Sequence, residues 1–557
     1  MKSPVVNFNF INNNVEISTP TNGISAVLAR TTKGPANDPS TLINSITKFK
    51  EIYGEEIVPD GTISNIEKAL LGGSTLRIAR VQASDATNGY VGTADATEIK
   101  ELFKITYNSI SVGFGLRTKY KGDKIGSGSS YNFGVAKVGN SILYKVVDAD
   151  GITILDSGIV TTFNTPDTLN KASFDYIALQ NFLLSNKYFE AVITTPSPEV
   201  TSVSSLIDWL ANTVDGGNKD LTITYNAVAL SDTYVLVPGS VGSAGTTPTL
   251  ENWEASFDSL LDYTDYYSAI ASHLAQHLES SDELSFYAYV RNKLDTLNEF
   301  QFYIEVPKVN NTKATIIAWI TTAIGTIGHS KYICYFAGGI KYYNNKGLLE
   351  NCDVLGTILG LDNTSAANYG PYKSFAGMNR GLIPDANGPV CINYGSPSRY
   401  DDLNDLAQSY VNIIVVKNTS ISGKVTMLWH NFTSQVKQDS FRFISTVRLA
   451  LYIEKQLRPI FESFIEEPNI WGTWKRIYLM GNPIMENLIT DNAITDLSWE
   501  GDQDATAWKD LKINNEADCR QGKYIAKIHF KDVATMQEIT VDLVMDQASK
   551  SVNTTVQ

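Results

Sequence analysis

The sequence predicts an α+β multidomain fold, with an α/β middle domain interrupted by a mostly-β insertion and followed by a C-terminal α/β core. Three observations predict it. Strand-like and helix-like segments alternate over 24–81 and again over 250–360, the pattern of a sheet covered by helices. Between them, 97–250 turns rich in Thr and Ser, with short strands and Gly-rich turns. After residue 423 a short apolar run leads into two long amphipathic segments. At 557 residues the chain has room for three to four domains of ~100–200 residues.

Composition narrows the function classes. Apolar residues are 43% and charged residues 19%, so sizeable cores can be buried. A net charge of -14 argues against broad nucleic-acid binding, which needs a basic face. Cys334, Cys352, Cys391 and Cys519 are widely spaced and form no C-x-x-C, which predicts free thiols in a reducing compartment. The first residues, MKSPVVNFNFINNN, contain no apolar core of a leader, and no run of about 18 apolar residues occurs. Synthesis in the cytoplasm without membrane insertion is the expectation.

The first element, 1–20, alternates Val6, Phe8 and Phe10 with Asn7 and Asn9, the period of a strand with no local partner. Such a strand pairs with a distant part of its own sheet or joins another chain. Ile24 to Ala29 reads as a buried strand and Lys33-Gly34-Pro35 as a turn. Leu42, Ile43, Ile46, Phe49 and Tyr53 fall at helical spacing. Ser64 to Leu71 is a second helix, stopped by Gly72-Gly73, and Leu76 to Val81 a strand. The insertion carries one helical piece, Ala172 to Ser185, and leaves through the loop 238–248. Leu250, Trp253, Phe257, Leu260 and Leu261 mark a helix. Phe300 to Val306 is a strand, Thr312 to Ile327 a helix and Tyr332 to Phe336 a strand. These strands are expected to share a sheet with 24–29 and 76–81.

In the C-terminal core, Val425 to Trp429 reads as a buried strand. Phe443, Val447, Ala450, Leu451, Leu457, Phe461 and Phe464 form one helical stripe, with Arg442, Arg448 and Lys455 off it. Pro459 predicts an end or kink near Gln456. Asn469 is a candidate N-cap for a helix from Ile470 to about Ile489. Tyr524 to Phe530 and Ile539 to Met545 alternate as strands, the second through Ile539, Val541 and Leu543.

Catalytic patterns are not evident. His273 and His277 have the spacing of a metal pair, but Leu274 stands where a metalloprotease carries Glu, so an exposed helix face is predicted. Glu466-Glu467 and Asp401-Asp402 are adjacent carboxylates, which point apart on a helix or loop. No phosphate-binding G-x-x-x-x-G-K-[ST] and no G-x-S-x-G occurs. No cofactor and no enzymatic activity are expected.

Four segments resemble the contractile tail sheath proteins of phages and related injection systems. At the N-terminus, Gly23, Ala26, Lys33, Gly34, Pro35, Pro39, Ser45, Phe49, Tyr53, Gly54, Arg77, Arg80 and Val81 match a G-x-x-A strand, K-G-P turn, S-x-x-x-F helix and R-x-x-R-V strand. Near the C-terminus, Gly423, Val425, Trp429, Arg448, Ile453, Glu454, Glu467, Pro468 and Asn469 match a strand, an Arg-bearing helix and an E-P-N break, with His430-Asn431 where Gly-x-Arg is usual. Gly370 to Ile383 resembles the S-P-A-G-x-N-R-G segment, with Phe375 in place of Pro, and the resemblance makes Arg380 a packing or inter-domain contact. Asn514-Asn515 and Gln521-Gly522-Lys523 are similar to the family's C-terminal tail.

The resemblance implies a non-enzymatic virion-tail subunit. It would be assembled in the host cytoplasm into hexameric rings stacked helically around an inner tube, with baseplate and tail terminator proteins as further partners, and would contract to drive the tube through an envelope. It implies an arm at 1–20, a middle domain of 21–96 with 251–400, an outer insertion at 97–250, a tube-facing core at 401–536 and a second arm at 537–557. Strand exchange between subunits would use Val6, Phe8, Phe10, Ile539, Val541 and Leu543. Arg442, Arg448, Lys455, Arg458, Lys475 and Arg476 are candidate tube contacts. The alternative reading is a β-rich virion surface or glycan-binding, adhesin-like protein.

Overall fold

A computed structural model describes residues 23–54, 62–92, 99–107, 110–122, 131–148, 152–162, 176–185, 187–214, 222–225, 232–237, 239, 242–343, 348–384, 386–391, 400–419, 423–437 and 439–533. The terminal strands expected at 6–10 and 539–545 lie outside these residues.

The first strand, β1 (Ile24–Ala29), carries no charge and is buried along its whole length. A strand of this kind needs cover on both faces, as in a parallel sheet wrapped by helices. After it come β2 (Leu42–Ile43), α1 (Ile46–Tyr53), α2 (Thr62–Leu71) and β3 (Thr75–Arg80). Leu42 and Ile43 are not helical, although they sit at helical spacing. The Ser45 hydroxyl accepts the Lys48 N–H at 3.2 Å and so starts α1, leaving the two residues before it to pair antiparallel with Arg77 and Leu76.

The insertion holds β4 (Phe103–Tyr107), β5 (Ile110–Thr118), β6 (Tyr131–Val138), β7 (Ser141–Asp148), β8 (Ile154–Thr162), α3 (Tyr176–Ser185), β9 (Phe189–Thr195), α4 (Val203–Val214), β10 (Thr222–Tyr225) and β11 (Val235–Val237). It forms two antiparallel four-stranded sheets, ordered β10-β4-β5-β9 and β11-β6-β7-β8, around Phe103, Phe114, Phe133, Phe182 and Leu206. Helix α4 was not expected from the sequence. Its Ser and Thr residues read as part of the β-rich stretch, yet Leu206, Trp209 and Leu210 supply a buried helical face. Bridges Thr87↔Ser243 and Val91↔Gly239 join the outgoing and returning chain.

The chain then runs through α5 (Leu250–Leu260), β12 (Ser268–Ala271), α6 (Ser280–Leu297), β13 (Gln301–Glu305), α7 (Lys313–Ile327), β14 (Ile333–Ala337), β15 (Ile340–Tyr343), β16 (Leu349–Cys352), α8 (Leu355–Tyr369), α9 (Tyr400–Gln408), β17 (Val411–Thr419) and β18 (Gly423–Leu428). The central sheet has the order β18-β17-β14-β13-β12-β1-β3-β2, parallel except for the outermost pair at each edge. Strands on both sides of the insertion therefore share one sheet, as the sequence predicts. Alternation sorts the side chains. Ala26, Leu28, Phe302 and Ile304 face a core with Trp253, Phe286 and Ile320, while Val27, Ala29 and Tyr303 face Phe49, Ile66 and Ile358.

Helix α10 (Ile444–Glu462) passes through Pro459 rather than ending before it. An interior proline costs a helix ~3 kcal/mol, and burial of Leu457 and Ile460 on either side offsets that. The chain divides into two units at Pro459/Ile460, so β17 and β18 belong with the large sheet. The second unit contains α11 (Trp471–Thr490), β19 (Ile494–Glu500), α12 (Glu516–Arg520) and β20 (Lys527–Asp532), with β19 and β20 forming an antiparallel ribbon.

Candidate interaction surfaces

The Lys33-Gly34-Pro35 turn near the N-terminus has a structural job. Arg80 is fully buried and donates to the carbonyls of Gly34 at 2.9 Å and Thr31 at 3.3 Å, so it holds the Lys33-Gly34-Pro35 turn from inside. Gly34 has φ 105°, and a Cβ there would lie 2.7 Å from the Tyr53 ring. Arg77 reaches Asp265 from Nε at 2.7 Å and donates to the Pro39 carbonyl at 2.9 Å. Both arginines tie turns to the sheet.

The six basic candidates separate into three groups. Arg448 and Lys455 are inside the chain, contrary to their position off the apolar stripe. Arg448 is 1% exposed and forms an ion pair with fully buried Asp362 of α8, which also accepts the Tyr303 hydroxyl at 3.0 Å. Lys455 donates to the carbonyls of Thr264 and Tyr266 at 2.9 and 2.6 Å, and burial pushes its ammonium down to about 8. Neither presents its charge at the chain's surface. Arg442 and Arg458 are half-buried: Arg442 lies 5.2 Å from the Phe432 ring centroid, and Arg458 pairs with Glu299 and Glu454 at 2.9 and 2.7 Å. Lys475 and Arg476 are exposed on α11; Arg476 pairs with Glu467 at 3.0 Å, and no carboxylate pairs with Lys475 among the described residues. The missed signal is Asp362, a lone acid in the otherwise uncharged run of α8.

His273 and His277 do not share an exposed helix face. His273 has φ 52° before a single 3-10 turn, Leu274–Gln276, and pairs with Asp353 at 2.7 Å; His277 is buried beside Arg30 at 3.2 Å. Asp353 also pairs with Lys308. Burial opposes its charge, but His273 and Lys308 outweigh it and hold the carboxyl below the usual range. Both Glu305 oxygens accept the Val354 N–H, at 3.0 and 2.9 Å, at the start of α8. This crevice at the carboxyl ends of β12 and β13 is where open α/β sheets hold ligands. Here it is lined by the chain's own ion pairs. Among the described residues no group of three or more His, Cys, Asp or Glu is placed to hold a metal.

The second unit is organised by Asn469 and Asn514. Asn469 is not the N-cap of α11, a position taken by Ile470. Its amide donates to the carbonyls of Cys519 and Lys523 at 3.0 and 2.9 Å and accepts the Trp474 Nε1–H at 2.8 Å. Asn514 accepts the Ile525 N–H at 2.8 Å and donates to its carbonyl at 3.0 Å, which positions the approach to β20. Strand β20 begins at Lys527, later than expected, because Tyr524 stacks on Trp474 at 5.2 Å instead. Trp499 of β19 lies against Phe461 and Tyr478. The ribbon β19–β20 has no third strand among the described residues, and a two-stranded ribbon is marginal by itself. Among the described residues no strand pairs with its outer edges.

No protein-family model and no curated protein matches the chain. Solved structures do. The sheath tail protein of Listeria innocua matches with TM-score 0.51 at 12% identity, over 87% of this chain and 89% of that one. The sheath tail protein of Desulfitobacterium hafniense matches with TM-score 0.49 at 12% identity, over 95% and 100%. A chain of the anti-feeding prophage baseplate matches with TM-score 0.41 at 15% identity, over 64% and 84%. No helix among the described residues is long and apolar enough to cross a membrane. At such low identity the likeness is one of architecture: this chain has a multidomain α+β fold like that of the Listeria innocua sheath tail protein.

Proposed function

We propose that the chain is the structural, non-enzymatic subunit of a contractile tail sheath, forming hexameric rings stacked helically around an inner tube. What supports the reading is the fold likeness to a sheath tail protein over most of both chains, together with the open ribbon β19–β20. In this reading the ribbon is completed by strands from neighbouring subunits, one around Val6, Phe8 and Phe10 and one around Ile539, Val541 and Leu543. Backbone hydrogen bonds then supply the linkage, and alternating side chains fix the register. Subunits so linked stay connected while rings reorganise. Lys475 and Arg476 of α11 are the basic residues placed to meet an acidic tube, through polar contacts that release more readily than a broad apolar interface. Baseplate and tail terminator proteins cap the two ends.

Deletion of residues 1–17 tests the linkage. Sheaths purified with their tube should fall apart into rings or single subunits, as seen by electron microscopy. Full-length sheaths from the deleted chain would refute strand exchange through that segment. Lys475→Glu with Arg476→Glu should reduce co-sedimentation with the tube protein about tenfold while leaving the melting temperature unchanged. Undiminished co-sedimentation would remove α11 from the tube interface.

A further inference from the structure

Helices α2 and α8 approach so closely that a Cβ on Gly72 would lie 2.4 Å from the Gly360 Cα. Beside this crossing is a cavity of about 350 Å³. Three of its wall residues are exposed apolar side chains: Leu71 at 72%, Tyr369 at 54% and Leu382 at 37%. Apolar exposure gathered on one cavity wall marks an interaction site more than scattered exposure does. Lys68 and Arg380 also line it. They rest on the Tyr342 and Tyr369 rings, at 3.9 and 5.8 Å from the centroids, and neither pairs with a carboxylate among the described residues. Ser365, on the same wall, has a buried hydroxyl with no hydrogen-bond partner among the described residues. The cavity thus asks for an apolar group carried next to negative charge.

The chain itself displays such a group. Ile465 is 68% exposed in the turn after α10, between exposed Glu462 and Glu466. Glu466 has φ 69°, so the backbone is held in the left-handed region at the turn's tip. Two other exposed apolar side chains have basic neighbours instead: Leu479 follows Lys475 and Arg476, and Val436 precedes Lys437. We propose that the Ile465 turn of one copy docks into the Leu71–Tyr369–Leu382 cavity of the next, with Glu462 and Glu466 meeting Lys68 and Arg380. The proposal rests on the reading of the chain as an assembly subunit and names one contact within it. Knob and socket are different surfaces, so the contact is heterologous, the type that propagates into rings or helical stacks rather than closing as a pair.

Two chains with one introduced cysteine each test it, both also carrying Cys352→Ser, since Cys352 is half-buried whereas the other three thiols are buried. Leu71→Cys chains mixed with Ile465→Cys chains and oxidised should give a disulfide-linked dimer that neither chain gives alone. Absence of that mixed dimer would overturn the contact. Charge reversal is the second arm. Lys68→Glu with Arg380→Glu should lower the assembled fraction about tenfold, and adding Glu462→Lys with Glu466→Lys to the same chain should restore it. No restoration would equally overturn it. Tubes formed by the unsubstituted chain, with no mixed dimer and no charge-reversal rescue from the variants, would leave the sheath reading standing and remove only this contact.

Discussion

Buried charge decides the behaviour of single residues in this chain. Arg448 and Asp362 neutralise each other in the core, and Arg448→Ala would leave the aspartate buried without a counter-charge, at a cost of about 3–5 kcal/mol. Arg448→Met combined with Asp362→Leu should cost much less than the sum of the single changes, measurable by chemical denaturation. Glu283, buried in the first turn of α6, is pushed up to about 7 by burial, which outweighs its hydrogen bond with Tyr287. Its folded-state pKa lies above its unfolded value, so its contribution to stability is full at low pH and is lost between about 4.5 and 7. Glu283→Gln should therefore remove that loss and raise stability above pH 7 by about 3 kcal/mol. Lys455 runs the other way. Its folded pKa is depressed to about 8, so the unfolded chain holds the proton more tightly and stability rises from pH 8 towards 10; Lys455→Met should flatten that rise. The spacing of α10 could not disclose these roles. An arginine and a lysine off an apolar stripe read as solvent-facing, and only the tertiary positions of Asp362 and the Tyr266 carbonyl show why they turn inward. The N-terminal motif was more legible, because Arg80 holds the nearby Gly34 turn and Arg77 the Pro39 turn, although the Arg77 partner Asp265 is remote in sequence.

At the scale of elements, the parallel sheet was the most readable part. Uncharged runs such as Ile24–Ala29 and Ile333–Ala337 are buried on both faces, and composition alone marks them. The span of α7 was also readable: a helix from Thr312 to Ile327 is expected, and Thr312 accepts the Thr315 N–H just before Lys313. Where tertiary contacts compete with local preference the sequence reading fell short. Leu42–Ile43 joins the sheet edge, α10 continues through Pro459, and Asn469 clamps the second unit instead of capping α11. The α2–α8 crossing gives an element-level prediction. Gly360→Val forces a branched side chain against Gly72 and the Lys68 carbonyl, so the helices must separate; it should cost about 2–4 kcal/mol and lower the melting temperature. Gly325→Ala, in the open face of α7, should be neutral or slightly stabilising by comparison.

For the whole molecule, the division at Pro459/Ile460 separates a large sheet-based unit from a small one that contains, among the described residues, a two-stranded ribbon. A net charge of -14 disfavours indiscriminate self-association, so the proposed assembly requires specific surfaces, for which the ribbon β19–β20 and the apolar cavity of α2 and α8 are the candidates. The strands expected at 6–10 and 539–545 lie outside the described residues, and alternation by itself cannot name a strand's partner. The central claim is that this chain polymerises into a sheath. Electron microscopy of the full-length protein, produced together with its tube protein, tests it most directly. Striated hollow tubes, long when extended and shorter and wider after triggering, are the predicted result. Monomers or small closed oligomers beside bare tubes would contradict it.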